Sequence, residues 1–334
     1  MDLRVTDTME KGNDAMTLPV SHSDASTDQR APSSTVQDAA PPAKNAPEAG
    51  HGGADAERAH LDYSARLITQ DRFYEPLYEE IVAWLDSLEG ARILDAGCGA
   101  GGMTAQLAGA VGEDGAVVAL DIAPAHLQAT RQTIARADYN ERVTTVEGSV
   151  DALPFSTAQF DVIWCSHVVH GQPDQVATLR ALHSLLLPGG RVALREDYFW
   201  PPQLFPRDVG MGTPGLAERI LIDQTRAFDR WRTVLPGAVG APFGWTRLLR
   251  EGGFHDVRAR TFVFELLPPF TAEQEAYLAG VLLWLRESEM LRRALSDEDQ
   301  QTLEALTDPE GAHYALRRDD LHFVDAATVY LGSV

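Results

Sequence analysis

The sequence predicts an α/β fold, a doubly wound parallel sheet, on three observations. Short apolar runs alternate with helical patterns from residue 92 onward, the signature of strand–helix–strand units. The first run, Arg92-Ile93-Leu94-Asp95, ends in an acid and opens into a glycine-dense turn, Ala96-Gly97-Cys98-Gly99-Ala100-Gly101-Gly102. Polar residues then fall at the end of one run after another: Asp95, Asp121, Ser149, Ser166, His167 and Glu196. In an open parallel sheet those carboxyl ends share one edge, where ligands bind.

Residues 1–58 are rich in Ser, Thr, Asp, Ala, Pro and Gly without apolar periodicity, and are expected to be a disordered tail. Residues 59–334 are expected to form the folded domain. Phe73, Leu77, Tyr78, Ile81, Val82, Trp84 and Leu85 recur at helical spacing through Leu88, and Gly90 stops the helix. After the glycine turn, Met103–Val111 reads as a helix and Ala116–Asp121 as a second buried strand. Pro124–Ala137 is helical, and Val143–Glu147 makes the third strand. Phe160–His167 is the fourth strand with its exit. A helix after Pro173-Asp174 leads through Pro188-Gly189-Gly190 into the fifth, Arg191–Glu196. Two stretches, about 197–244 and 271–318, break the alternation and are expected to cap the site. The first begins with the aromatic run Tyr198-Phe199-Trp200, and the second is expected to carry one helix over Thr271–Leu295. Between and after them, His255–Leu266 and His322–Gly332 read as strands six and seven.

The glycine turn supports two readings. Gly97, Gly99 and Gly102 satisfy G-x-G-x-x-G, the dinucleotide fingerprint, while Gly97, Gly99 and Gly101 satisfy the denser G-x-G-x-G. Asp95 decides between them, because a carboxylate beside a pyrophosphate is repelled. The stretch 92–104 resembles the first motif of class I S-adenosylmethionine-dependent methyltransferases. Gly148 to Phe155 resembles that family's G-D-A-x-x-L-P-F segment, with Ser149 where an Asp is common. Phe160-Asp161 and Leu187-Pro188-Gly189-Gly190 add to the likeness, which runs clearly from about Leu88 to His255.

The resemblance implies a Rossmann-like seven-stranded sheet of order 3-2-1-4-5-7-6 with the last strand antiparallel. It implies S-adenosyl-L-methionine as cofactor and a small-molecule methyl acceptor. Its cofactor-binding residues would be Asp95, Gly97, Gly99, Gly101, Asp121, Ile122, Ser149, Val150 and Ser166. Asp95 would hold the methionyl amine, Asp121 the ribose hydroxyls, Ile122 a face of the adenine and Ser149 its edge. Tyr63, Phe73, Tyr74 and Tyr78 are candidate lid aromatics, with core packing the alternative for each. A proton-bearing acceptor would need a general base; His167 is the candidate, then His170, with Glu196 or Asp197 behind them.

Composition narrows the field. The chain has 334 residues, 44% hydrophobic, and a net charge of −21. Residues 1–58 hold ten acids and five bases, which leaves −16 on the remainder. Such a body repels phosphate backbones, so no nucleic-acid partner is expected. Lysine occurs only as Lys11 and Lys44, which removes Schiff-base and P-loop chemistry from the domain. Cys98 and Cys165 have neither metal-site nor disulfide spacing, and no metal is expected. No apolar run is long enough for a membrane span, and no secretory signal is read at the start; the expectation is a cytoplasmic protein, with a homodimer as one assembly. Two other functions stay open at this point: a nicotinamide-dependent oxidoreductase, and a protein that binds S-adenosylmethionine without turnover.

Overall fold

The computed structural model describes residues 54–196 and 203–334; the Tyr198-Phe199-Trp200 run, Asp197 and most of the expected tail lie outside them. The elements run α1 (Ala54–Phe73), α2 (Glu75–Leu85), β1 (Arg92–Ala96), α3 (Gly102–Ala110), β2 (Ala116–Asp121), α4 (Pro124–Arg136), β3 (Val143–Glu147) and β4 (Phe160–Ser166). They continue α5 (Gln175–Leu185), β5 (Leu186–Arg195), α6 (Leu216–Val234), α7 (Trp245–Glu251), β6 (His255–Leu266), α8 (Ala272–Glu287), α9 (Glu289–Ala294), α10 (Asp297–Thr307) and β7 (Phe323–Ser333).

The strands form one seven-stranded sheet in the order β3-β2-β1-β4-β5-β7-β6. β1 to β5 are parallel, and β7 runs antiparallel to both β5 and β6. This is the expected order. β1 and β2 are buried along nearly their whole length, as strands covered on both faces must be, and β7 alternates buried and half-buried residues with period two. Neighbouring residues therefore serve opposite cores. Ile93, Val117, Val162 and Trp164 face a core shared with α2, α3 and α8. Leu94, Val118, Ile163 and Cys165 face a second core closed by α5 and α7.

Three departures from the sequence reading have local causes. The helix expected through Leu88 is two helices, broken at Tyr74, whose backbone leaves the helical region ahead of Pro76. Proline has no N–H to carry the α1 ladder forward and suits the first turn of a new helix, so the chain restarts there. α1 begins at Ala54, inside the span expected to be tail. The helix expected over Thr271–Leu295 stops at Ser288 and restarts as α9, where the Ser288 hydroxyl accepts from the Leu291 N–H at 3.4 Å. Ser296 repeats the device for α10 at 3.2 Å.

The two capping stretches are joined. Arg219 of α6 donates to both carboxylate oxygens of Asp299 on α10 at 2.6 and 2.8 Å, and its guanidinium holds the Asp299 carboxyl below its ordinary range. Such forked geometry fixes relative orientation better than a single contact does. Among the described residues no helix is long and apolar enough to cross a membrane.

Candidate functional site

Five residues, 97–101, join β1 to α3, and three left-handed glycines make the turn: Gly97, Gly99 and Gly101 have φ of 85°, 56° and 85°. Their surroundings differ. A side-chain carbon on Gly97 would meet Val168 at 2.3 Å, and one on Gly101 would meet the Thr130 Cα at 2.9 Å. Those two are glycine because the β4 exit and α4 press against them. A side-chain carbon on Gly99 would meet only Leu67 of α1, at 3.3 Å, and the Gly99 carbonyl accepts from the Thr130 hydroxyl at 2.9 Å. Gly101→Ala is expected to lower stability by about 2–4 kcal/mol, a left-handed penalty plus overpacking against α4. A fall in melting temperature of roughly 5–15 °C checks this.

The two acids sit where the sequence put them. Asp95 is buried and accepts from the Thr104 hydroxyl at 2.6 Å. Burial pushes its carboxyl up to about 7, and the nearby charges of Asp71 and Asp121 add to the rise against the Thr104 bond. Asp121 is a knot. Its Oδ2 accepts from the Gly99 N–H at 3.0 Å, while Oδ1 accepts from the Ala123 N–H at 2.9 Å and meets His126 Nδ1 at 3.0 Å. One carboxylate thus ties the glycine turn to the start of α4. Its Oδ2 retains lone-pair capacity for a further donor.

The remaining expected residues divide. Ile122 is 54% exposed beside Asp121, open to a flat ligand. Ser149 is half-buried at the end of β3, whereas the Val150 side chain packs in the second apolar core, which leaves only its main chain for a ligand. Ser166 and His167 are half-buried at the β4 exit, and the Ser166 hydroxyl lies 3.3 Å from His167 Nδ1. His167 is left-handed, with φ of 54°, and donates its N–H to the Arg195 carbonyl at 2.9 Å.

Of the two histidines expected to have Glu196 behind them, His170 is the one it serves. Glu196 is fully buried, and its Oε2 lies 2.6 Å from Nδ1 of His170. Its Oε1 accepts from the main-chain N–H of Val168 at 2.9 Å and of Val169 at 2.6 Å. Because β4 and β5 are parallel neighbours, the residue after β5 reaches the turn after β4, and the carboxylate satisfies the donors that turn exposes. The pairing is therefore Glu196 with His170, not with His167. Phe228 of α6 lies over His170 with ring centroids 5.8 Å apart, which brings the first cap to this edge.

Sequence reasoning missed Asp71. It accepts from the Gly102 N–H, in the first turn of α3, at 2.9 Å and from the Tyr78 hydroxyl at 3.2 Å. Burial pushes its carboxyl up to about 6. The lid aromatics resolve by position. Phe73, Tyr74 and Tyr78 are buried in the core, where Phe73 stacks on Tyr277 at 4.0 Å and the Tyr74 hydroxyl donates to Asp325 at 2.6 Å. Only Tyr63 reaches over the cleft, its ring 5.5 Å from that of His126. Among the described residues no three His, Cys, Asp or Glu side chains converge as metal ligands.

A parallel sheet whose first two strands end in carboxylates around a backbone-lined turn defines a site for an adenosyl-type ligand at the carboxyl edge. Known proteins place it further. Residues 93–190 match the family described as methyltransferase domain. A 2-phytyl-1,4-naphtoquinone methyltransferase of Thermosynechococcus vestitus is 38% identical over 115 residues, 34% of this chain and 50% of that one. A 27-O-demethylrifamycin SV methyltransferase of Amycolatopsis mediterranei is 30% identical over 151 residues, 45% of this chain and 52% of that one. A demethylmenaquinone methyltransferase of Lactococcus lactis is 31% identical over 112 residues, 34% of this chain and 44% of that one. The chain thus spans about half the length of the curated relatives it matches. The stretch from β1 into β5 is thus a methyltransferase domain.

The residues present suit S-adenosylmethionine: its amine and hydroxyl donors call for acceptors, and this edge offers carboxylates at the ends of β1 and β2, the second with spare lone pairs.

Proposed function

We propose that the protein transfers a methyl group from S-adenosylmethionine to a small-molecule acceptor by in-line displacement. The observation that carries this reading is the pair Asp95 and Asp121 at the carboxyl ends of adjacent parallel strands, with Asp121 holding the Gly99 N–H of the turn between β1 and α3. The cofactor supplies an electrophilic methyl group on a sulfonium. Asp95 holds the cationic amine, Asp121 takes the ribose hydroxyls, and Gly97, Gly99 and Gly101 shape the turn that admits them. Ile122, Ser149 and the Val150 main chain border the adenine. Ser166 and His167, at the next strand end, face the transfer point, where an acceptor proton would leave to His167. An acceptor that is a ring-bearing small molecule is supported by what the relatives' names specify, quinones and a rifamycin. Two unbridged buried cysteines suit a reducing compartment, and we place the protein in the cytoplasm.

The test is transfer of label from methyl-labelled S-adenosylmethionine to members of a panel of phenols and quinols. A panel with no labelled product, from protein that binds S-adenosylhomocysteine tightly, would leave binding without turnover as the function. Binding itself should depend on pH. With Asp95 near 7, the empty site is mostly protonated at pH 6, and the cationic amine needs the ionised form. Affinity for S-adenosylhomocysteine is therefore expected to rise about tenfold from pH 6 to pH 8, with proton release on binding below pH 7. Calorimetry in buffers of different ionisation enthalpy reads both. The sign reverses for the empty fold: the raised value favours the protonated carboxyl, so this group's contribution to stability falls as pH climbs from about 4 to about 7.

A further inference from the structure

The stretch from α6 through α7 is basic in an acidic domain. Residues 225–250 carry five arginines and one acid, Asp229, although residues 59–334 together have a net charge of −16. Four of those arginines are exposed: Arg226 and Arg230 on α6, Arg247 and Arg250 on α7. Apolar side chains stand among them. Ile222, Arg226, Arg230 and Val234 follow at intervals of four and so form one ridge along α6. Ile222 is 49% exposed and Val234 75%. From Val234 to Gly244 the chain then carries no polar side chain, and most of that loop is exposed, Val239 by 50%. We propose that this face, the α6 ridge with the 234–244 loop and α7, docks on an anionic lipid bilayer. The arginines meet headgroup phosphates and the loop enters the boundary between headgroups and acyl chains. Docking needs no methyl transfer, so it stands or falls apart from the function proposed above.

The chemistry favours a bilayer over a protein partner. Exposed apolar surface rimmed by charge marks an interaction site. The 234–244 loop offers no side-chain donor or acceptor by which a protein partner would fix its register, and a bilayer asks for none. Part of its main chain is already satisfied: the Val239 N–H donates to the Pro173 carbonyl at 2.9 Å and the Ala238 N–H to the Leu235 carbonyl at 3.0 Å. Arg247 lies over the Phe243 ring, 3.8 Å from its centroid, which ties the loop to the basic end of the face. Interfacial segments combine these two features, apolar side chains that enter the headgroup boundary and cations drawn to anionic lipid. Nearby acids do not cancel the arginines. Asp223 meets Arg226 at 3.6 Å and Glu251 meets Arg247 at 3.4 Å, but those arginine side chains stay 69% and 58% exposed, and exposed pairs bind weakly. Salt screens charges beyond about 10 Å, so a bilayer meets the sign of this face rather than the domain's net charge. The face also adjoins the site: Phe228 of α6 lies over His170, and Arg232 donates to the Gln172 carbonyl just past the β4 exit.

The decisive measurement is co-sedimentation of the full chain with two kinds of vesicle, phosphatidylcholine alone and phosphatidylcholine with about one-quarter phosphatidylglycerol. Binding to the anionic vesicles is expected to exceed binding to the neutral ones roughly tenfold, and to fall about threefold or more between about 0.1 M and about 0.5 M salt. Arg226→Glu with Arg230→Glu and, separately, Val234→Ser with Val239→Ser are each expected to lower it roughly fivefold or more at an unchanged melting temperature. Two pairs of different chemistry guard against one misfolding. Arg292→Glu with Arg293→Glu, on the exposed side of α9, makes the same charge change elsewhere and is expected to leave binding within about twofold. Equal binding to both kinds of vesicle, no binding to either, or an equal loss in the α9 pair overturns the proposal. A dimer that either cap pair converts to monomer, with no vesicle binding, gives the face to a second copy of the chain and overturns it as well.

Discussion

Glu196→Ala is expected to cost about 3–5 kcal/mol of folding stability, the range for stripping the partner from a buried charged group. The melting temperature should fall by roughly 10 °C. The carboxylate has no solvent access, and its removal strands the N–H groups of Val168 and Val169 and the His170 ring without their acceptor. Glu196→Gln keeps the shape and at least one acceptor oxygen, so it should lose less than half as much. A thermal unfolding series on the three proteins decides the matter. An alanine variant melting within 2 °C of the parent would mean that the β4 exit holds its left-handed turn at His167 by other means.

Asp121→Ala is expected to weaken S-adenosylhomocysteine binding by tenfold to a hundredfold, about 1.5–3 kcal/mol for hydrogen bonds to a charged group. Part of that loss is indirect. The same carboxylate holds Gly99 and Ala123, so alanine also frees the glycine turn. Asp121→Asn separates the two effects. An amide oxygen can still accept from one main-chain N–H, and the ring of His126 can reorient, but the charge that favours two vicinal hydroxyls is gone. Calorimetric titration should rank the parent above asparagine and asparagine above alanine. Equal affinity in all three, with intact folding, would remove the ribose assignment.

The strand plan was legible because central parallel strands write themselves as continuous apolar runs, and a run that stops at an acid marks its own carboxyl end. Asp95 and Asp121 were found that way, and β6 was bounded to the residue. Helix boundaries in the caps were less legible, since Ser288 and Ser296 read as ordinary polar positions until their hydroxyls are seen to accept from the turn ahead. The partnership of Glu196 with His170 spans 26 residues and depends on which strands are neighbours, which no local pattern states. It could have been found by asking what an acid just past β5 meets across the sheet. Asp71 carried no signal at all: α1 has weak periodicity, and one acid among several polar residues does not announce that it will cap another helix.

The placement of the two cysteines has a practical consequence. Cys165 is sealed in the sheet and Cys98 lies beneath the glycine turn, and burial drives both thiols well above their ordinary ionisation range. Thiolate-directed reagents therefore find almost nothing to attack in the native fold, and amine-directed ones find no lysine beyond Lys44. A single reporter cysteine introduced on an exposed face, at Ala65 for instance, would carry a fluorophore against a silent background.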